Sequence, residues 1–110
     1  MALYMIQGGY TAEAWAGLVK NPEDRTAAVR AAFESLGGTL TALYYTFGAD
    51  DFVVIGDVPD HVQAAAVAIA VASTGRYRDL RTTPLLTAPE IVRALQQVGK
   101  ANFRPAGTTR

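Results

Sequence analysis

The chain has 110 residues, of which 50% are hydrophobic and 18% are charged, and its ten basic and ten acidic side chains cancel. This composition is typical of one ordered globular domain and excludes a strongly basic nucleic-acid-binding protein. The absence of cysteine excludes disulfides, thiolate catalysis and thiolate metal sites, and a single histidine excludes a cluster of histidine metal ligands.

The most apolar run, residues 62–72, is the only candidate for a membrane segment. It contains Gln63 and falls well short of the roughly 20 residues that a membrane span requires. The first seven residues, MALYMIQ, have no basic stretch and predict a strand instead of a signal peptide. We therefore expect a soluble, cytoplasmic protein that binds neither membranes nor nucleic acid.

The first apolar run of the chain, residues 3–7, predicts a strand that Gly8 and Gly9 end. Both faces of this strand are apolar. Thr11 then has a side chain suited to cap a helix, and apolar residues follow it at helical spacing. The sequence therefore predicts a short helix directly after the first strand.

A second helix start is predicted at residues 21–24, Asn-Pro-Glu-Asp, which supply a cap, a proline at the first helical position and two acids. Val29, Phe33 and Leu36 follow at positions i, i+4 and i+7, so one stripe of this helix faces a core. The glycine pair at residues 37–38 ends the helix.

Residues 40–58 predict an antiparallel hairpin, because two apolar runs flank the break Gly-Ala-Asp-Asp at residues 48–51. Gly48 suits the positive φ that a tight connection often requires. Successive side chains of a strand point to opposite faces, so Tyr44 and Tyr45 are expected on opposite sides of the sheet. Both faces of the hairpin are apolar, and both therefore need cover.

The rest of the chain predicts a helix, a strand and a further helix. Asp60, with Gln63 three residues later, begins an alanine-rich helix that is apolar nearly all round. Residues 78–86 predict a strand at a sheet edge, because Pro84 removes a hydrogen bond of the ladder. Residues 87–90, Thr-Ala-Pro-Glu, form a capping box that begins the last helix.

This order of elements predicts an α+β fold of the ferredoxin-like, split βαβ type: a four-stranded antiparallel sheet with helices on one face and an extra C-terminal helix. The other face would expose an apolar area larger than a soluble monomer tolerates, and a second subunit laid sheet to sheet is the simplest cover. We therefore expect a homo-oligomer built as a dimeric α+β barrel. Residues 1–99 would form the domain, and residues 100–110 a tail that is either mobile or docked through Phe103.

Short motifs spread along the chain support this interpretation. They are Met1–Gln7, Asn21–Arg25, Leu36–Gly38, Tyr44–Gly48, Asp51–Ile55, Pro59–Asp60 and Arg81–Thr87. In this order and spacing, from residue 1 to about residue 98, they resemble the GYD-domain family, which is named for a Gly-(x)-Tyr-Asp signature after the second strand. Gly48 and Asp51 match that signature, whereas Asp50 stands where tyrosine is usual, so no role of that tyrosine hydroxyl is carried over.

The resemblance implies a place among the dimeric α+β barrels and no established activity. The broader superfamily includes cofactor-independent monooxygenases, small isomerases, haem enzymes and ligand-sensing domains, so the fold alone does not select among them.

Two side chains are candidates for proton transfer. His61 is the only histidine, and imidazole at a helix start suits a general base; the alternative is an exposed first-turn residue. Asp51 opens the third strand, where it either locks the turn through backbone N–H groups or presents a carboxylate to a ligand.

Five side chains are candidates for ligand binding: Tyr4, Tyr44, Tyr45, Arg81 and Thr83. An inward tyrosine hydroxyl over an apolar cavity would orient a small ligand, and the alternative is a set of core aromatics with satisfied hydroxyls. An arginine near the last strand would hold an anion, or it would discourage strand pairing at a solvated edge.

These observations predict a small-molecule-binding α+β barrel protein of the uncharacterised GYD type, either without catalysis or as a cofactor-independent, monooxygenase- or isomerase-like enzyme. The alternative is a non-catalytic structural or ligand-sensing oligomerisation module. No cofactor or metal site is indicated by any motif. A haem-binding barrel with His61 as axial ligand is a weaker third option.

Overall fold

A computed structural model describes residues 1–108 of the chain. Its elements are β1 (Ala2–Tyr10), α1 (Ala12–Lys20), α2 (Thr26–Ser35), β2 (Thr39–Tyr45), β3 (Phe52–Val58), α3 (His61–Ala72), β4 (Tyr77–Leu85) and α4 (Ala88–Gln97), with a 3-10 turn at Val98–Lys100. The strands form one antiparallel sheet in the order β2-β3-β1-β4. The predicted α+β, ferredoxin-like arrangement with an extra C-terminal helix is therefore confirmed. The predicted tail extends to residue 110, and its residues 109 and 110 lie outside the described part.

One face of the sheet carries the core. Alternation along β1 and β3 turns every second side chain toward α2 and α3, and the buried side chains lie between these layers. They are Ile6, Tyr10, Phe33, Phe52, Val54, Val58, Ala64 and Val67. None of the helices described within residues 1–108 combines the length and apolarity needed to cross a membrane.

The first strand is longer than predicted, because Gly8 and Gly9 lie inside β1 and do not end it. The adjacent strand β4 passes close to both. A Cβ atom on Gly8 would collide with the carbonyl oxygen of Asp79, and one on Gly9 would collide with the guanidinium of Arg78. Glycine here permits close contact between neighbouring strands, and β1 continues to Tyr10.

The start of the second helix also differs from the prediction. α2 begins at Thr26, after Arg25, and Asp24 accepts a hydrogen bond of 2.9 Å from the backbone N–H of Thr26. Residues 21–24 instead connect α1 to α2, since an Asx-type turn competes with helix start at Pro22.

The hairpin connection does not use a positive φ at Gly48, contrary to the prediction. Positive φ occurs at Gly37, where the chain leaves α2, and at Gly75, just beyond α3. The hairpin is closed by Thr46, whose backbone N–H donates to the carbonyl of Asp51 at 2.8 Å and whose hydroxyl donates to the carbonyl of Asp50 at 2.6 Å.

The C-terminal helix α4 projects from the end of β4. The radius of gyration is 18.0 Å and the extents are 63 × 32 × 22 Å, whereas a compact domain of this length has a radius near 13 Å. Both hydrogen bonds of the predicted capping box are present between Thr87 and Glu90. The apolar stripe is exposed, with Ile91 at 44% and Leu95 at 64%.

Candidate functional site

The core is incomplete between the sheet and the helices α2 and α3, where a cavity of about 220 Å³ lies. Its walls are apolar and include Val29, Phe33, Val54, Val67 and Val71. Aromatic side chains of Tyr10, Tyr45, Phe52 and Tyr77 line it from the sheet side. A largely apolar concavity with a few polar groups is the usual form of a small-molecule site.

Tyr10, the last residue of β1, is the centre of an aromatic cluster beside this cavity. The ring centroids of Tyr77 and Phe52 lie 5.1 Å and 5.5 Å from that of Tyr10. Trp15 of α1 meets the same ring edge-on, with a centroid distance of 4.9 Å. Contacts of this geometry add to the stability that burial of the rings provides, so the cluster holds the cavity wall in one arrangement.

The polar atoms that this wall presents are mainly hydroxyls. The hydroxyls of Tyr10 and Tyr45 lie 3.1 Å apart, and either can donate to the other. Burial, together with the hydrogen bond to Tyr45, raises the pKa of Tyr10 well above its ordinary value. Tyr10 therefore stays neutral at physiological pH and serves as a hydrogen-bonding group, not as a base.

Asp51 connects the hairpin to this aromatic cluster. Its Oδ2 atom accepts hydrogen bonds from the backbone N–H of Tyr10 at 2.9 Å and from the indole N–H of Trp15 at 3.1 Å. The guanidinium of Arg78 lies 3.6 Å from the same oxygen. Asp51 thus organises the junction between β1 and α1.

A second cleft, of about 320 Å³, adjoins the cavity on the side of α1. Tyr10, Arg25 and Tyr77 line both spaces. The cleft is more polar, with Glu23 and Arg76 also among its lining residues. The two spaces therefore share a boundary, with mostly apolar side chains around the cavity and charged ones around the cleft.

Of the tyrosines predicted to bind ligand, only Tyr45 is among the residues that line the cavity. Tyr44 lies on the opposite face, as the alternation predicts, and is 68% exposed. Tyr4 is on the same face as Ile6 and packs against the core without lining the cavity.

The other predicted site residues lie away from this cavity. His61 is the first residue of α3 and is exposed. Arg81 and Thr83 of β4 are exposed and pair with β1 residues on the sheet face that the helices do not cover. The guanidinium of Arg81 binds the carboxylate of Asp50 at 2.5 Å, which connects the hairpin loop to β4.

Tyr10, Tyr77 and Arg25 were not among the predicted site residues. The predicted strand ends at Gly8 and Gly9 and so does not include Tyr10, which is the last residue of β1 in the structure. The available signal was its spacing: Tyr10 stands four residues after Ile6, so it faces the same side if the strand continues. Arg25 lines the cavity with Tyr10, and no motif of the sequence indicates this position.

Comparison with known proteins bears on the fold and not on the chemistry. Among residues 1–108, no group of three His, Cys, Asp or Glu side chains is placed to hold a metal ion. A search of curated proteins finds no match to this chain. The GYD domain matches residues 4–95, which is most of the chain and covers β2, β3, β4, all of β1 from Tyr4 onward, the residues that line the cavity and Asp51. The chain therefore belongs to the GYD domain family.

Proposed function

We propose that this protein binds a small, largely apolar molecule in the cavity between the sheet and the helices α2 and α3. The observation that carries the proposal is the cavity of about 220 Å³ with its aromatic wall. Close-packed protein cores leave few voids larger than a water molecule, so a space of this size favours a ligand-binding role. The paired hydroxyls of Tyr10 and Tyr45 would orient a polar group of the ligand.

Occupancy of the cavity is testable with a filled variant and a matched control. Ala32 of α2 lines the cavity, whereas Ala31, next to it on the same helix, is exposed. Binding of small aromatic alcohols would be followed by the fluorescence of Trp15, the only tryptophan, which contacts Tyr10. Ala32→Phe is expected to abolish the fluorescence change, and Ala31→Phe to retain it. Equal binding by both variants would contradict the proposal.

Catalysis stays a prediction of the sequence. Proton transfer by His61 or Asp51 would require a ligand that reaches the exposed start of α3 or the β1–α1 junction. A cofactor-independent turnover that survives His61→Ala and is lost in Ala32→Phe would locate the chemistry in the cavity and not at His61.

We also propose that the protein is a homo-oligomer, assembled as a dimeric α+β barrel. Two apolar surfaces support this. One is the sheet face opposite the helices, where Met5, Val53 and Ile55 are half-buried and Tyr44 is exposed. The other is the stripe of α4, described above. A helix of this length is marginal in isolation, so packing of its apolar side against a second copy would stabilise it.

Assembly is testable by light scattering during gel filtration. Leu95→Glu places a charge within the apolar stripe of α4, and Gln97→Glu places one on the opposite side of the same helix. The first variant is expected to dissociate the oligomer and the second to leave it intact. A wild-type protein that runs as single chains at high concentration would contradict the proposal.

The complete lack of cysteine supports a cytoplasmic location, because small secreted domains generally depend on disulfides. Fractionation of source cells, followed by immunoblotting, would test this assignment. Recovery from the extracellular fraction would contradict it.

A further inference from the structure

Among the described residues, Arg25 is the only cation that lines both the cavity and the adjoining cleft. Tyr10 and Tyr77 are the other residues that line both spaces. A ligand that fills the apolar cavity and extends into the cleft therefore passes the guanidinium of Arg25. The charge of this guanidinium determines which polar group of a ligand binds best there.

Arg25 stands directly before α2, and its side chain makes no capping hydrogen bond to that helix. It lines the cleft together with Tyr10 and Tyr77, and its guanidinium lies 3.2 Å from the carboxylate of Glu23. The Arg25 side chain is 32% exposed, whereas that of Glu23 is 53% exposed. The Arg25 side chain is thus half-buried beside the cavity, whereas its ion-pair partner Glu23 lies on the solvent-exposed side.

The described residues that line the cleft include two arginines and one carboxylate. Arg76 also lines the cleft, and it binds Glu13 at 2.8 Å on the exposed surface. Glu23 is the one carboxylate among the lining residues, and it opposes an anionic ligand unless it is displaced. The partner in the Arg25 ion pair, Glu23, is on the exposed side, and ion pairs with such solvent access contribute little stability, so a ligand carboxylate can replace Glu23 at Arg25. The planar fork of arginine then binds the two carboxylate oxygens together.

We propose that the ligand is a carboxylic acid with a compact apolar or aromatic body. The body occupies the cavity between the sheet and α2, and the carboxylate binds Arg25 at the opening to the cleft. This inference rests on the proposed function, because it assigns the ligand class of the same cavity.

The test compares three probes of the same shape: phenylpropanoate, phenylpropanol and phenylpropylamine. Each is titrated into the wild-type protein and into Arg25→Gln, with Trp15 fluorescence and calorimetry as readouts. Arg30→Gln is the control, since Arg30 is an exposed arginine of α2, the helix that Arg25 precedes, and lines neither space. We expect the acid to bind about tenfold tighter than the alcohol, as a charge-assisted hydrogen bond predicts, and the amine to bind weakest.

Arg25→Gln is expected to remove the preference for the acid over the alcohol, so that the two probes bind the variant with similar affinity. Arg25→Lys, which retains the charge without the fork, is expected to fall between wild type and Arg25→Gln. Glu23→Gln is expected to tighten binding of the acid, because it removes the competing carboxylate.

Failure of this inference is distinguishable from failure of the proposed function. Equal affinities for acid and alcohol, or an acid affinity that Arg25→Gln leaves unchanged, would overturn the ligand class and leave the cavity as a binding site. No binding of any probe, with the folded state verified by circular dichroism, would overturn both. Acid preference that is lost equally in Arg25→Gln and Arg30→Gln would show a general charge effect and would also overturn the assignment to Arg25.

Discussion

The carboxylate of Asp51 accepts a hydrogen bond of 2.9 Å from the backbone N–H of Tyr10, across 41 positions of the sequence. This contact joins the start of β3 to the end of β1, at the point where Tyr10 turns its ring toward the cavity. The same carboxylate oxygen accepts from the indole of Trp15, which packs on that ring. Through these two hydrogen bonds Asp51 joins the hairpin to the aromatic wall of the cavity.

Replacement of Asp51 by Asn is expected to lower the free energy of unfolding by about 1–3 kcal/mol, because a half-buried acceptor of two hydrogen bonds loses its charge. Urea denaturation measures this loss. The emission of Trp15 is expected to change in the folded state, since its N–H partner is altered. Asp79→Asn is the control: Asp79 forms only long, exposed ion pairs and is expected to have little effect. Equal losses in the two variants would contradict the positioning role.

Tyr10 makes stability depend on pH in the alkaline range. Its pKa is raised in the folded protein, so the unfolded chain releases this proton first, near the ordinary value of about 10. The free energy of unfolding is therefore expected to fall as pH rises above about 10, where the folded state holds more protons than the unfolded state. Urea denaturation from about pH 8 to about pH 11 tests this. Tyr10→Phe, which cannot ionise, is expected to show a shallower decline, and an identical slope would refute the assignment.

Gly56 of β3 is the residue over which Phe33 packs. A Cβ atom at this position would lie 2.5 Å from Cε1 of Phe33, a side chain that is 2% exposed and lines the cavity. Gly56→Ala is expected to destabilise the protein by about 1–3 kcal/mol through overpacking, and to weaken binding in the cavity.

A second glycine supplies the control for that variant. Gly17 lies in α1 with no atom within 4 Å of an added Cβ. Gly17→Ala is expected to stabilise the protein by about 0.4–1 kcal/mol, because alanine restricts the unfolded chain and favours the helix. Thermal denaturation of both variants checks the pair, and destabilisation of similar size in both would contradict the packing argument.

Thr87→Ala removes the hydroxyl that caps α4. The side chain accepts a hydrogen bond from the backbone N–H of Glu90 at 3.3 Å, and its loss is expected to destabilise the helix by about 1 kcal/mol. Because α4 projects from the sheet, hydrogen exchange is expected to accelerate in residues 88–97 while the amides of β1 keep their protection. Uniform acceleration across the sheet would show that α4 is part of the cooperative core.

Much of the architecture is predictable from local signals. The alternation in β2 places Tyr44 and Tyr45 on opposite faces. The predicted capping residues Thr11, Asp60 and Thr87 are the N-caps of α1, α3 and α4 in the structure. Each of these signals depends on atoms within a few residues of one another. The structure reproduces them because tertiary contacts do not oppose them.

The cavity was not predictable in the same way. It depends on distant segments that meet in the fold: Tyr10 contacts Tyr77, and Arg25 lines the cavity with both. The glycine pair before Tyr10 has a local interpretation as a strand end, and a close strand contact overrides it. The sequence accordingly predicts the faces of the sheet better than it predicts where the core leaves a space.

Ligand binding in the cavity between the sheet and the helices α2 and α3 is tested most directly by a crystal structure of the protein grown with phenylpropanoate. We predict that the phenyl ring lies between Phe33 and Phe52 and that the carboxylate contacts Arg25. Two results would contradict this prediction. In one, the side chains of α2 fill the cavity although the probe is saturating; in the other, the probe binds only on the sheet face opposite the helices.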